Sequence, residues 1–201
     1  MSTRTKVIAL ILIILIADQV LKIWIKTNMV IGQEFSLFGS WGIIHFLENE
    51  GMAFGMKLGG KYGKLILSVF RIIAIAGIGW FLNSLIKQKA HFGLILSVGA
   101  IFAGALGNMI DSAFYGMIFS ESNYFQTAVM FPPEGGYSSF LHGSVVDMFY
   151  FPIIDTQLPE WSPIRAGESF IFFRPVFNIA DSAITCGLIS ILLFQKKMFA
   201  E

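Results

Sequence analysis

The stretch RPVFNIADSAITCGLISILLF, residues 174–194, reads as a membrane-spanning helix, except that Asn178 and Asp181 stand near its start. An ionised carboxylate at the centre of a bilayer costs roughly 2.5–3.5 kcal/mol on insertion scales. A chain that keeps such a residue either holds it away from the bilayer centre or uses it.

Composition supports the membrane reading. Of the 201 residues, 55% are hydrophobic and 13% charged, with a mean hydropathy of +0.71; soluble domains carry about 25% charged residues. The net charge is +1 and no Lys/Arg run with interleaved aromatics occurs, which argues against nucleic-acid binding. The single cysteine, Cys186, lies inside the last apolar run, so neither a disulfide framework nor a thiolate metal cluster can form within the chain. His45, His91 and His142 are isolated and no H-E-x-x-H spacing occurs. No metal or other cofactor is expected. A serine mechanism lacks its G-x-S-x-G elbow.

Runs of about 20 apolar residues mark spans at 7–24, 65–86, 92–110 and 176–194. An even number of spans puts both termini on one side. Arg4 and Lys6, Lys87 and Lys89, and Lys196 and Lys197 flank that side, which the positive-inside rule makes cytoplasmic. The first run continues into ADQVLKIW (17–24) with no small-x-small cleavage site, so it reads as a retained span rather than a leader. Loops 25–64 and 111–175 are then expected outside. Within them FSLFGSWGIIHFLEN (35–49) and HGSVVDMFYFPII (142–154) predict strands of a small sheet on the membrane surface. The expected fold is an all-α membrane protein forming one integral membrane domain over residues 1–201.

A helix rises about 1.5 Å per residue, so depth follows from direction. Asp111 falls about 28 Å along the outward-running third span, and Asp181 about 7–8 Å below the outer edge of the inward-running fourth. Arg71 lies about 9 Å down the second span and Lys22 about 22 Å up the first. All four share the outer-leaflet layer. Asp18, four residues before Lys22, is its natural ion-pair partner, and a structural clamp is the expected role.

GNMIDS and FNIADS repeat an N-x-x-D-S pattern at the outer ends of two oppositely directed helices. Asn108 with Asp111, and Asn178 with Asp181, therefore each share a helix face. Helix gluing, aided by Gly104 and Gly107, explains the asparagines. It explains carboxylates poorly, because a neutral amide would serve at lower desolvation cost. Asp147, in the apolar stretch GSVVDMF, is a third acid near the same layer. Close carboxylates cannot all ionise, so one keeps a proton, and the acid/base pair of an aspartic protease results. Depth leaves open whether Asp111 or Asp147 partners Asp181.

Five motifs in order, DQVLK (18–22), NEGMAFG (49–55), GALGNMIDS (104–112), GSVVDMF (143–149) and FNIADSAI (177–184), resemble those of the bacterial lipoprotein signal peptidases, or signal peptidase II. The resemblance implies a membrane-embedded aspartic endopeptidase of four transmembrane helices with a small extracytoplasmic β-cradle, to which this chain adds an inserted extracytoplasmic loop. It implies Asp147 and Asp181 as the catalytic dyad, Asn49, Gly51, Asn108, Asp111 and Asn178 as substrate-binding residues, and Asp18 with Lys22 as structural support. The implied substrates are diacylglyceryl-modified prolipoproteins, cut just before the lipidated cysteine. Membrane lipids and globomycin-type inhibitors are the other implied partners, and a monomer in the bacterial inner membrane, with its active site near the outer leaflet, is expected.

Two departures stand out. The family often has Arg directly after the third-span Asp, where this chain has Ser112; Arg71, Arg165 or Arg174 would supply the donor, Arg71 first. The link from Asp111 to Asp147 is about 30 residues longer than the family's, and its 114–140 portion would form a lid, a helical flap or a docking surface. Two rival classes make different predictions. A proton-coupled transporter or channel subunit needs acids strung through the bilayer, yet FGLILSVGAIF and TCGLISILLF, the inner halves of spans three and four, carry none. A scaffold whose polar residues only glue helices predicts that Asp181→Asn is tolerated.

Overall fold

The computed structural model describes residues 1–49, 63–161 and 167–199. Helix α1 (Thr3–Asn28) opens under a Ser2 cap, whose side chain accepts from the Thr5 N–H. It runs four residues past the expected end at 24, because Ile25, Lys26 and Met29 are buried by the sheet and loop beyond the bundle. Strands β1 (Glu34–Phe38) and β2 (Gly42–Asn49) form the expected hairpin, turning at Gly39, where φ is +60° and only glycine sits without strain.

Helix α2 (Gly63–Lys87) and helix α3 (Phe92–Ile110) follow, joined by a tight turn. His91 caps α3, its Nδ1 accepting from the Gly93 N–H at 3.1 Å. The third helix does not stop at Ile110 as expected from hydropathy. It continues through a π-helical turn, Asp111–Tyr115, into a last α-turn, α4 (Gly116–Ile118). Such π turns admit one extra residue per turn and re-aim the side chains around them.

Beyond the inserted segment come β3 (Val145–Tyr150), the hairpin β4 (Ile154–Gln157) and β5 (Ser169–Phe172), and the short β6 (Val176–Phe177). Strands β1, β2, β3 and β6 make one antiparallel sheet in that order. The last helix, α5, spans Ile179–Met198. Hydropathy places its start at 176; Val176 and Phe177 instead pair with Tyr150 and Phe149.

Helices α1, α2, α3 with its extension, and α5 are each long and apolar enough to cross a membrane, and their outward faces are apolar, as at Ile13, Ile73, Leu192 and Leu193. At the centre, α3 and α5 pack backbone to backbone. A Cβ on Gly104 would lie 2.2 Å from the Ala180 carbonyl oxygen, and one on Gly107 would lie 2.9 Å from Asp18 Oδ2. These two glycines let α5 and the Asp18 carboxylate close onto α3.

The segment after α4 is no lid. Phe119 and Ala128 join Ile25, Met29, Ile44, Phe46, Val146 and Met148 in one buried cluster. Side chains alternate along a strand, so Val146 and Met148 face this cluster and Asp147 faces away from it. The inserted segment therefore packs on the sheet face opposite Asp147.

Candidate active site

The site is assembled where the sheet meets the ends of α1, α3 and α5. Its deepest part centres on Lys22. The ammonium lies 2.9 Å from Asp18 Oδ2, 2.8 Å from Asp111 Oδ2 and 2.9 Å from Asn108 Oδ1, and all of Lys22, Asp18 and Asp111 are fully buried. A lysine has three N–H donors; all three are used. Asp18 and Lys22 are i,i+4 on α1, as the sequence indicated, while Asp111 reaches them from the first residue of the π turn.

The remaining oxygens are also matched. Gln19 Nε2 donates to Asp111 Oδ1 at 2.8 Å and to Asp18 Oδ2 at 3.1 Å, while its own oxygen accepts from the Tyr115 hydroxyl at 3.2 Å. Asp18 Oδ1 accepts from the Ala180 N–H at 2.9 Å and so ties α1 to the first turn of α5. The Val146 N–H, one residue before Asp147, donates to Asp111 Oδ2 at 3.3 Å. Gln19 was missed by sequence reasoning. The signal was its place inside DQVLK, next to the two residues that were singled out.

Asn178 links this frame to the two remaining acids. It caps α5: its Oδ1 accepts from the Asp181 N–H at 2.9 Å, and its own N–H points to Asp181 Oδ2 at 3.4 Å, a reciprocal capping box. Its fully buried side-chain amide donates to Asp147 Oδ1 at 2.7 Å and to Asn108 Oδ1 at 3.1 Å. Asn108 in turn donates to Asp181 Oδ1 at 2.7 Å. Asn49, on β2 diagonal to Asp147 on β3, donates to Asp147 Oδ2 at 3.4 Å.

Asp147 and Asp181 thus share one hydrogen-bond network, with Asp147 only 5% exposed and Asp181 partly open. Burial, and then the negative charge of Asp181, push the Asp147 carboxyl from the ordinary 3.8 up to about 7, against the pull of Lys22 and the Asn178 and Asn49 amides. Arg71 on α2 is half-buried and donates from Nη1 to the Ser112 hydroxyl at 3.3 Å. Of the other candidate donors, Arg174 is exposed; Arg165 lies outside the described residues, as does Gly51. Asp111, expected to line a substrate groove, has both oxygens engaged within the protein and meets no open surface.

Four apolar helices capped by a small antiparallel sheet, with a polar network of acids and amides at their junction, define a multi-pass membrane enzyme. Two solved structures share the architecture, both described as a bacterial membrane enzyme determined by the in meso method. One aligns at a TM-score of 0.61 with 27% identity over 96% of this chain and 94% of its own, the other at 0.61 with 25% identity over 98% and 92%. Residues 10–196 match the family described as Signal peptidase (SPase) II. The lipoprotein signal peptidase of Porphyromonas gingivalis is 51% identical over 93% of this chain and 81% of its own length, and that of Amoebophilus asiaticus 36% over 92% and 75%. The chain belongs to the signal peptidase II family, the peptidases that remove signal peptides from prolipoproteins.

Proposed function

We propose that this chain is an aspartic endopeptidase in which Asp147 and Asp181 share one proton. The observation that supports the reading best is the double hold of Asn178, whose side chain binds Asp147 while its backbone N–H and cap bind Asp181. Two acids fixed by neutral amides keep a charge that an ion pair would quench.

With its carboxyl near 7, Asp147 retains a proton at neutral pH in a large share of molecules. Asp181, the more open of the two, accepts a proton from water as that water attacks the scissile carbonyl carbon. Asp147 donates its proton to the carbonyl oxygen, and a neutral gem-diol forms. On collapse the diol returns a proton to Asp147, Asp181 passes its proton to the leaving nitrogen, and the C–N bond breaks.

The proposed substrate is a diacylglyceryl-modified prolipoprotein, cut just before its lipidated cysteine. Asn49, Gly51, Asn108 and Arg71 would line the groove, with Asn178 and Asp111 holding it from behind, and globomycin-type inhibitors would occupy the same groove. The acyl chains of the substrate would fix the depth at which the scissile bond arrives. We place the chain, as one membrane domain acting as a monomer, in the bacterial inner membrane. Lys and Arg at both termini and in the α2–α3 turn support cytoplasmic termini, which leaves the acid layer near the outer leaflet. A transporter receives no support from the relatives, which are peptidases.

The test uses protein purified in detergent and a lipid-modified precursor. Asp147→Asn and Asp181→Asn should each abolish cleavage while the protein stays folded. Retained cleavage in either variant overturns the dyad.

A further inference from the structure

The inserted segment leaves large apolar side chains uncovered at one level of the molecule. Tyr124 is 71% exposed, Phe125 90% and Phe131 72%. Between residues 119 and 133 the only ionisable carboxylate or cation is Glu121. The tip is nevertheless well held: Asn123 Oδ1 accepts from the N–H groups of both Phe125 and Gln126 at 2.8 Å.

The level is set by α1. Lys6 Nζ sits 5.3 Å from the centre of the Phe92 ring, so α1 and α3 start together at the opposite end of the bundle. From Lys6 to Lys26 the helix climbs about 30 Å, the thickness of the hydrocarbon core. There the inserted segment is tied on: the Ala128 N–H donates to the Lys26 carbonyl at 3.1 Å, the Ile31 N–H to the Asn123 carbonyl at 3.0 Å, and Lys26 Nζ to Ser122 Oγ at 2.8 Å. At the same level Trp24, 46% exposed, meets Phe35 edge to face at 6.2 Å. The insert is therefore tied on at the outer edge of the membrane-facing surface of α1. Aromatic side chains concentrate at that boundary because a flat ring fits between acyl chains and head groups.

We propose that the 119–133 segment is an interfacial anchor, with Tyr124, Phe125 and Phe131 seated in the lipid head-group layer at the end of the bundle that holds the acids. The anchor also sets the depth of the site. Lys26, which holds Ser122, is ion-paired with Glu48 on β2, and the next residue, Asn49, binds Asp147. The inference rests on the membrane placement proposed above and not on the catalytic assignment of the acids.

The experiment places a nitroxide label at Phe125→Cys in a Cys186→Ser background, in phosphatidylcholine vesicles, with reference labels at Ile13→Cys and Glu134→Cys. Ile13 lies exposed on the middle of α1 and Glu134 is exposed just past the proposed anchor segment. The label at Phe125 should collide with oxygen and with a water-soluble nickel chelate at rates between those of the two references. Collision rates equal to those at Glu134 overturn the anchor, since the ring is then in water. Protection from both reagents also overturns it and identifies protein, a second copy included, as the cover. If the membrane placement itself fails, the Ile13 label reads as water too, which separates the two failures. As a functional readout, Phe125→Asp with Phe131→Asp should raise KM severalfold for a lipid-anchored precursor in vesicles and leave cleavage in detergent unchanged; equal effects in both media count against the anchor.

Discussion

Two groups of acids sit side by side at the same end of this bundle and are treated in opposite ways. Asp18 and Asp111 share the Lys22 ammonium, with Gln19 and backbone N–H groups taking up the other oxygens. Asp147 and Asp181 are held by Asn178, Asn108 and Asn49, and among the described residues no ion pair reaches either. A buried charge needs a partner or it neutralises itself. In the first group the partner is a cation, and the result is a rigid joint between α1, α3, α5 and β3. In the second no cation serves as partner among the described residues, which is the arrangement the proposed proton-sharing pair requires. Neutral amides fix the positions of those acids without fixing their charge.

The contrast is broken most severely by removing the cation. Lys22→Met leaves two buried carboxylates facing one another, and the loss should be about 3–5 kcal/mol, the scale for a buried pair deprived of one member. Thermal or denaturant unfolding in detergent measures it; a loss below about 1 kcal/mol would show that Lys22 is not what holds Asp111.

Asp147→Asn should act in the opposite direction on stability. The folded carboxyl binds its proton up to about 7 and the unfolded one only to the ordinary 3.8. As pH rises from about 4 to about 7 the unfolded chain sheds a proton that the folded chain retains, so folding is increasingly penalised; above about 7 the penalty is constant, and below about 4 it is absent. The variant should therefore melt higher than the parent at pH 8 and match it near pH 4, with no cleavage at either. In the parent, cleavage should decline as pH climbs past about 7 and Asp147 loses its proton. A parent that is equally active at pH 9 contradicts the assignment of the protonated acid.

A gentler break is Asn178→Ala, which unlinks the two acids without touching either. The lost helix cap costs about 1 kcal/mol of stability, while misplacement of both carboxylates should cut kcat about 100-fold. Asn178→Ser keeps a capping oxygen but has no amide to reach Asp147. It should recover much of the lost cap and none of the rate, which separates capping from positioning.

The four spans were legible because hydropathy over about 20 residues is a strong local signal, and depth arithmetic placed Lys22, Arg71, Asp111 and Asp181 in one layer because a helix has a fixed rise. Lateral arrangement was not legible. Depth alone cannot tell that Lys22 turns to Asp111 or that Asp111 lies outside any open groove. Nor does hydropathy reveal a π turn, since Asp111–Tyr115 keeps a helix-like composition. Val176 and Phe177 read as the head of a span because two apolar residues look alike in a strand and a helix; only pairing with β3 decides. The inserted segment could be seen as an addition to the family pattern, but its docking on the back of the sheet depends on Val146 and Met148, which lie in a different stretch of chain.

The finest distinction between the two groups concerns Arg71, whose guanidinium lies on the Asp181 side of the site. Its hydrogen bond to Ser112 places it at the position from which the family's usual arginine would extend, but from α2 rather than α3. If Arg71 supplies a donor to the groove, Arg71→Ser should lower kcat/KM about tenfold, a loss of about 1.4 kcal/mol, with little change in stability because the side chain is only half-buried. Ser112→Ala removes the hydrogen bond to Arg71, together with the hydroxyl's own bond to the Asn108 carbonyl, and should cost less, about twofold to fivefold. The double variant Arg71→Ser with Ser112→Arg moves the charge from one helix to the other and should recover most of the rate. Failure of the double variant to exceed Arg71→Ser alone would assign Arg71 to bracing α2 against the π turn.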